Sequence, residues 1–375
     1  MDQYKISSSN QSHTENPLHT KKTEPGELRE LPSMEELLLQ NLVTGDAEAQ
    51  IRAATQLGNL SSKQRHSLAE RGVMLPLISM LHSQDFEAIE AALLALLSLA
   101  FGSERNKRRI LKYGALPAVL SLLQCGSKAL MELTITALMI LSSCKANKLS
   151  IASSGAIEQI IEILNRDYAN ANGMNTNKDT ITISMQARLD AVATLHNLST
   201  CHHIMPSLVS SGVVSSLLQI IRSCEKPSQL VEKAIALLDD IVSSSKIPLK
   251  ETAGTCGAIG ALVETLEEGS MESKEHAVRI LLFICQSCRE NYGGLILREG
   301  VMPGLLQLKV DGTWRAKTMA EELLLLLRDC SSYGPSNQQS RNEVIEQIMQ
   351  EIDAEGEEVA GSTALRLLAK LSIMQ

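Results

Sequence analysis

The chain has 375 residues, of which 44% are apolar but only 2% aromatic, so its core must be built on Leu, Ile, Val and Ala, as in stacked helices. With 43 acidic against 35 basic side chains the formal charge is −8, which favours solubility and argues against a nucleic-acid partner. No stretch has the length and apolarity of a membrane span and the N-terminus lacks a signal-type apolar segment, so a cytoplasmic and/or nuclear location is expected.

Residues 1–32 are polar, include three prolines and read as a disordered tail. Ser33 with Glu36 three residues on forms a capping box for the helix MEELLLQNL, where an ordered array begins. From there to Cys330 one pattern recurs. Gly72, Gly114, Gly155, Gly212, Gly257 and Gly300 stand 42, 41, 57, 45 and 43 residues apart, and each is followed by Val or Ala. Two, five and six residues after every one of these glycines the side chain is apolar, and nine residues after it is aliphatic in all repeats but the last, where Lys309 stands. Those offsets trace one face of a helix, and the glycine suits a tight turn before it.

A short polar-started segment precedes each glycine, and a longer apolar one such as EAIEAALLALLSLA or LVEKAIALLDDIV follows the glycine helix. Three helices per unit of ~42 residues define the armadillo/HEAT class, in which one unit cannot bury its own apolar face and stacking supplies the core. The prediction is an all-α, armadillo-type right-handed solenoid over 33–330: a leading helix pair and six fuller units, about seven repeats.

The long interval holds an insertion at about 167–182, rich in Asn, Gly and Thr and read as a loop. Asn170, Asn172 and Gly173 fall at calcium-loop offsets, but Tyr168 and Asp179 stand where that loop needs Asp and Glu, so calcium is not expected. After the array, 331–340 reads as a linker, and 341–375 as helices that either cap the solenoid's open end or bind a partner.

The string NKxxIxxxGA followed by apolar helix, met at Asn106 to Leu123 and Asn147 to Leu164, resembles the armadillo repeats of plant U-box ubiquitin ligases, as does RAKTMAEELLLLLRD followed by SSYG. The resemblance covers roughly 34–330. It implies a binding role, since in that family the repeats recruit substrates or kinases while a separate U-box recruits the conjugating enzyme. The 33 residues before the first helix are too few for a U-box, so catalysis by this chain alone is not expected.

Armadillo proteins that hold extended peptides clamp the peptide backbone with an asparagine near the end of the third helix. By that resemblance Asn59 and Asn197 are groove candidates, with Asp240 at the matching position of another repeat and Arg52, Glu132, Asp190 and Lys233 about two turns earlier. Their roles would be hydrogen bonding to an extended segment and charge selection. Ser98, Ile140 and Ile284 occupy the position elsewhere, and Trp314 is the chain's single tryptophan, a poor match to the tryptophan-rich importin-α groove.

Other constellations carry less. Cys285 and Cys288 form the one CxxC, with no second pair or suitably spaced histidines, and Cys201-His202-His203 cannot all converge from one helix on an ion. The eight cysteines read as reduced thiols. Gly254, Gly257 and Gly260 do not have phosphate-loop spacing, no catalytic triad or carboxylate pair stands out, and the basic run from Arg105 to Lys112 reads as a solvated edge. The expectation is a protein-interaction scaffold or substrate-recognition subunit with protein partners and no cofactor, metal, small-molecule substrate or nucleic acid. Two alternatives are a ligase component acting with a separate U-box or RING protein and, least supported, a nuclear import receptor.

Overall fold

The repeating unit starts at its glycine. In the computed structural model, which describes residues 33–171 and 182–330, all six register glycines adopt positive φ, between 73° and 95°. A Cβ placed on five of them would meet nothing within 4 Å, so it is the left-handed backbone and not crowding that demands glycine there. The Val or Ala that follows is fully buried in every repeat, from Val73 to Val301, which explains why the position is small.

Twenty α-helices occupy the described residues, with no strand among them. A leading pair, α1 (Met34–Thr44) and α2 (Ala47–Gly58), is followed by six three-helix units. These are α3 (Ser62–Glu70), α4 (Met74–Met80) and α5 (Phe86–Ala100); then α6 (Glu104–Lys112), α7 (Ala115–Leu122) and α8 (Lys128–Ser142). The third unit enters through a 3₁₀ turn (Lys145–Asn147) into α9 (Lys148–Ala152), α10 (Ala156–Ala171) and α11 (Met185–Ser199). The last three are α12 (Met205–Ser210), α13 (Val213–Ser223) and α14 (Gln229–Ser244); α15 (Lys246–Gly254), α16 (Ala258–Glu268) and α17 (Met271–Ser287); and α18 (Arg289–Arg298), α19 (Met302–Asp311) and α20 (Trp314–Cys330). The inserted segment begins as helix, since α10 runs to Ala171; residues 172–181 lie outside the described residues, as do the tail 1–32, the linker 331–340 and the segment 341–375.

One continuous apolar core runs from Leu38 to Leu327. Third helices pack on third helices in unbroken succession, α2 on α5, α5 on α8, and so on to α17 on α20, while α10, α13, α16 and α19 form a parallel layer of second helices. The internal third helices, α5 to α17, are apolar on most sides because each touches both neighbours and its own repeat. Among the described residues no single helix is long and apolar enough to cross a membrane; α8 with the 3₁₀ turn and α9 has the combined length but is bent by 109°.

The NK string finds a structural explanation. Asn106 and Asn147 are buried, and their side-chain amides donate to carbonyls near the C-terminal end of the preceding third helix, Asn106 to Leu99 O at 2.8 Å and Asn147 to Leu141 O at 3.1 Å, while Asn147 also reaches Lys107 O on α6 at 3.0 Å. The last carbonyls of a helix lack a full set of i+4 partners, and the asparagine supplies a donor there, beside the longer turn bond from Cys144 N to Leu141 O at 3.3 Å. The lysine that follows reaches the hydroxyl at the end of its own repeat's third helix, Lys107 to Ser143 at 2.8 Å and Lys148 to Thr200. Lys107 also bonds Glu104, which is the main reason that the Glu104 carboxyl lies below its usual range. Replacing Asn147 by Ala removes two bonds made by a buried amide, so urea denaturation should show a loss of about 1–3 kcal/mol, where an exposed-residue control such as Ser153→Ala shows almost none.

Candidate functional site

The third-helix ladder is the element on which side chains from successive repeats come together. All seven third helices start alike: Asp46, Asp85, Ser127, Ser184, Ser228, Ser270 and Thr313 each accept a hydrogen bond from a backbone N–H of the first turn. A second device spans repeats. A glutamate in the first turns of one third helix accepts from the cap residue of the next: Glu132 from Ser184 N at 2.6 Å, Glu232 from the Ser270 hydroxyl at 2.9 Å, Glu275 from the Thr313 hydroxyl at 2.5 Å. This tether sets the spacing between neighbouring rungs and adds a carboxylate at a helix N-terminus, where the macrodipole favours it.

The residues singled out from the sequence divide into three groups. Glu132, Asp190, Asn197 and Asp240 form a connected track over α8, α11 and α14. Asp190 is buried and accepts from Thr136 on α8 at 2.6 Å and from Gln186 at 2.8 Å. Asn197 uses its amide on α8 as well, donating to Met139 O and to Ser142 Oγ, both at 3.1 Å. Asp240 is exposed and lies 3.2 Å from His196 Nε2 on α11. Lys233, two turns before Asp240, is exposed beside Glu232 at 3.5 Å. Arg52 and Asn59 stand apart at the far end of the ladder on α2, both exposed, Arg52 paired with Glu48 at 3.2 Å. The arrangement therefore commits Glu132, Asp190 and the amide of Asn197 to inter-repeat bonds, and leaves Arg52, Asn59, Lys233 and Asp240 facing solvent.

Between these groups α5 presents exposed apolar side chains along one side: Phe86, Leu94 and, just past its end, Phe101, with relative exposures of 57%, 48% and 74%. A groove of about 340 Å³ opens beside it, lined by Glu90 and Leu94 of α5, Glu132, Leu133 and Thr136 of α8, and Gln186 of α11.

Sequence reasoning missed one polar cluster. Asp239 is fully buried, and its Oδ2 accepts from His276 Nδ1 at 2.6 Å and from the Arg279 guanidinium, Nε at 2.6 Å, joining α14 to α17. The signal was present, since Asp239 sits four residues after Ile235 and three before Val242, both buried, and so interrupts an apolar stripe. Naming its partners required knowing that the next repeat lies alongside.

Seven described cysteines are free, Cys144 and Cys285 being buried; burial pushes the Cys144 thiol up, with a further push from Glu104, so it stays protonated. No group of three or more His, Cys, Asp or Glu among the described residues could hold a metal ion.

Units of three short helices, glycine-turned, stacked third helix on third helix, make the chain an armadillo-repeat protein with an all-α solenoid fold. Its curated relatives are plant U-box domain-containing proteins. It is 28% identical over 255 residues to U-box domain-containing protein 45 of Arabidopsis thaliana, covering 67% of this chain and 30% of that protein. It is 29% identical over 292 residues to U-box domain-containing protein 17 of the same plant, covering 76% and 37%, and 26% identical over 255 residues to U-box domain-containing protein 1 of Medicago truncatula, covering 60% and 36%. The chain thus spans well under half the length of these relatives. No protein-family model matches. Among solved structures an engineered protein superposes with a TM-score of 0.65 at 20% identity, over 90% of this chain and 78% of that one, a likeness of fold.

Proposed function

We propose that this chain is a non-catalytic interaction scaffold or substrate-recognition subunit that binds a protein segment along its third-helix ladder. The observation that carries this reading is the unbroken run of seven third helices whose outward side chains keep unspent bonding capacity. Asn59 and Lys233 are exposed, Asp240 makes direct contact with a histidine but with no lysine or arginine, and the Asn197 carbonyl oxygen has no partner among the described residues. An extended segment laid across such rungs finds side-chain acceptors and donors at repeat spacing, and the mixed charges select a segment with both signs. Of the groove candidates, Arg52, Asn59, Lys233 and Asp240 face solvent and are the ones proposed to meet the partner, while Glu132, Asp190 and the amide of Asn197 are held in inter-repeat bonds.

A second reading is favoured by the names of the relatives: the scaffold works as a component of a ubiquitin ligase, with a separate U-box or RING protein supplying conjugating-enzyme contact. Purified chain incubated with activating and conjugating enzymes forms no ubiquitin chains unless such a protein is added; autonomous chain formation contradicts the non-catalytic reading.

The binding test is quantitative affinity purification followed by titration of the recovered partner. Asn59→Ala removes a side chain with no bond in the fold, and Asp240→Ala removes one surface carboxylate, so neither should shift the melting temperature appreciably. Each is expected to weaken the partner about tenfold, roughly 1.4 kcal/mol. Undiminished binding in both variants rejects the ladder.

A further inference from the structure

A groove of about 980 Å³ lies beside the ladder, where α11 and α14 end and the short helices α12 and α15 begin. Its volume is in the range of ligand sites. Met205 and Val209 of α12 and Ile247 of α15 supply its apolar part, and Ile247 is 70% exposed. Asp240 and Glu251 also line it, and none of the lining residues is lysine or arginine, so with its one histidine neutral the lining itself carries two carboxylates and no cation.

Among the described residues, neither carboxylate has a lysine or arginine in direct contact. Asp240 has His196 at 3.2 Å, an ion pair only when that ring is protonated, and feels the Arg279 guanidinium at longer range without bonding it. Glu251, half-buried on α15, has no ion-pair partner among the described residues, and burial pushes its carboxyl above the usual range. A carboxylate partly withdrawn from water without compensation gains when a cation arrives, and an aliphatic stem leading to that cation covers apolar wall at the same time.

We infer that this groove receives a partner segment in which an arginine or lysine is flanked by aliphatic residues, the cation meeting Asp240 and Glu251 and the aliphatic neighbours resting on Met205, Val209 and Ile247. The inference rests on the reading of the chain as a partner-binding solenoid and places one specificity-determining pocket at the edge of its ladder. Binding of such a segment lowers the Glu251 pKa back toward its ordinary range, so it strengthens as pH rises through the range in which Glu251 ionises.

The test is fluorescence anisotropy on the full chain with short fluorescein-labelled peptides presenting Leu-Arg-Leu, Leu-Gln-Leu, Leu-Glu-Leu or Leu-phosphoserine-Leu between Gly-Ser flanks. The Arg peptide is expected to bind at least tenfold more tightly than the other three, less tightly at high salt, and at least fivefold less tightly to Glu251→Gln and to Ile247→Ser. Gln is close to isosteric and relieves a desolvated charge, so Glu251→Gln should melt no lower than the parent, which separates lost binding from lost fold. Absence of binding by every peptide, equal binding of Arg and Gln peptides, preference for the acidic or phosphorylated one, or indifference to Glu251→Gln each overturns the inference. If the purified partner is lost in Asn59→Ala but kept in Glu251→Gln, the groove assignment falls while the ladder stands; if it is kept in both Asn59→Ala and Asp240→Ala, the ladder falls.

Discussion

Arg279→Met is expected to destabilise the chain by about 3 kcal/mol, the lower end of what an uncompensated buried charge costs. Asp239 is fully buried and its main cation is Arg279; with that cation gone, the carboxylate keeps His276 at 2.6 Å and a longer contact from Ser243 Oγ at 3.4 Å. The reverse change is milder. Asp239→Asn leaves Arg279, whose side chain is 38% exposed and can hydrate, so the expected loss is about 1–2 kcal/mol, close to one hydrogen bond to a charged group. The asymmetry separates a buried-carboxylate account from a simple surface ion pair, in which both variants lose equally little. Denaturation midpoints with unchanged slopes are the measurement, and a cost for Arg279→Met no larger than that for Asp239→Asn contradicts the account.

Leu195→Ala is expected to cost about 2–5 kcal/mol, because a fully buried leucine leaves a cavity that close-packed neighbours fill only in part. Its position gives the change a second consequence. Leu195 lies on α11, which packs on both α8 and α14, and a solenoid's stability is a sum of repeat terms and nearest-neighbour interfaces. Weakening a central rung weakens the coupling between the two ends of the array. Unfolding should then broaden or split into two steps, and amide exchange should rise in α10 and α11 and their contacts before it rises in α2 or α20. A uniform two-state shift with unchanged slope would show that the repeats fold as one indivisible unit instead.

The repeat architecture was legible because it rests on local, periodic signals. Positive-φ glycines, the small residue after them and the aliphatic offsets each repeat six times, and each is a requirement of the same turn and buried face. The caps were also readable in principle, since Asp46, Asp85, Ser127, Ser184, Ser228, Ser270 and Thr313 stand before apolar runs, although the sequence reading used only Ser33.

The side-chain networks were much less legible. Glu132 and Asp190 were read as groove residues from their place on the helix, but whether a carboxylate faces a partner or the next rung depends on crossing geometry between repeats. Ser184, to which Glu132 is tied, lies 52 residues along the chain, on the far side of the insertion. Asn197 shows the same limit: its place near the end of α11 was read correctly, while the engagement of its amide with α8 was not. The groove at α12 and α15 had no sequence signature, being assembled from helix ends of three consecutive repeats.

The claim that the third-helix ladder is the partner-facing surface is tested most directly by site-specific photo-crosslinking. A photoreactive residue replaces Thr136 on α8 or Ala236 on α14, both partly exposed on the ladder, or Ser121 on α7 or Glu162 on α10, both exposed on second helices. On irradiation with the purified partner, adducts should form from Thr136 and Ala236 and be nearly absent from Ser121 and Glu162. Equal or stronger adducts from the second-helix positions would contradict it.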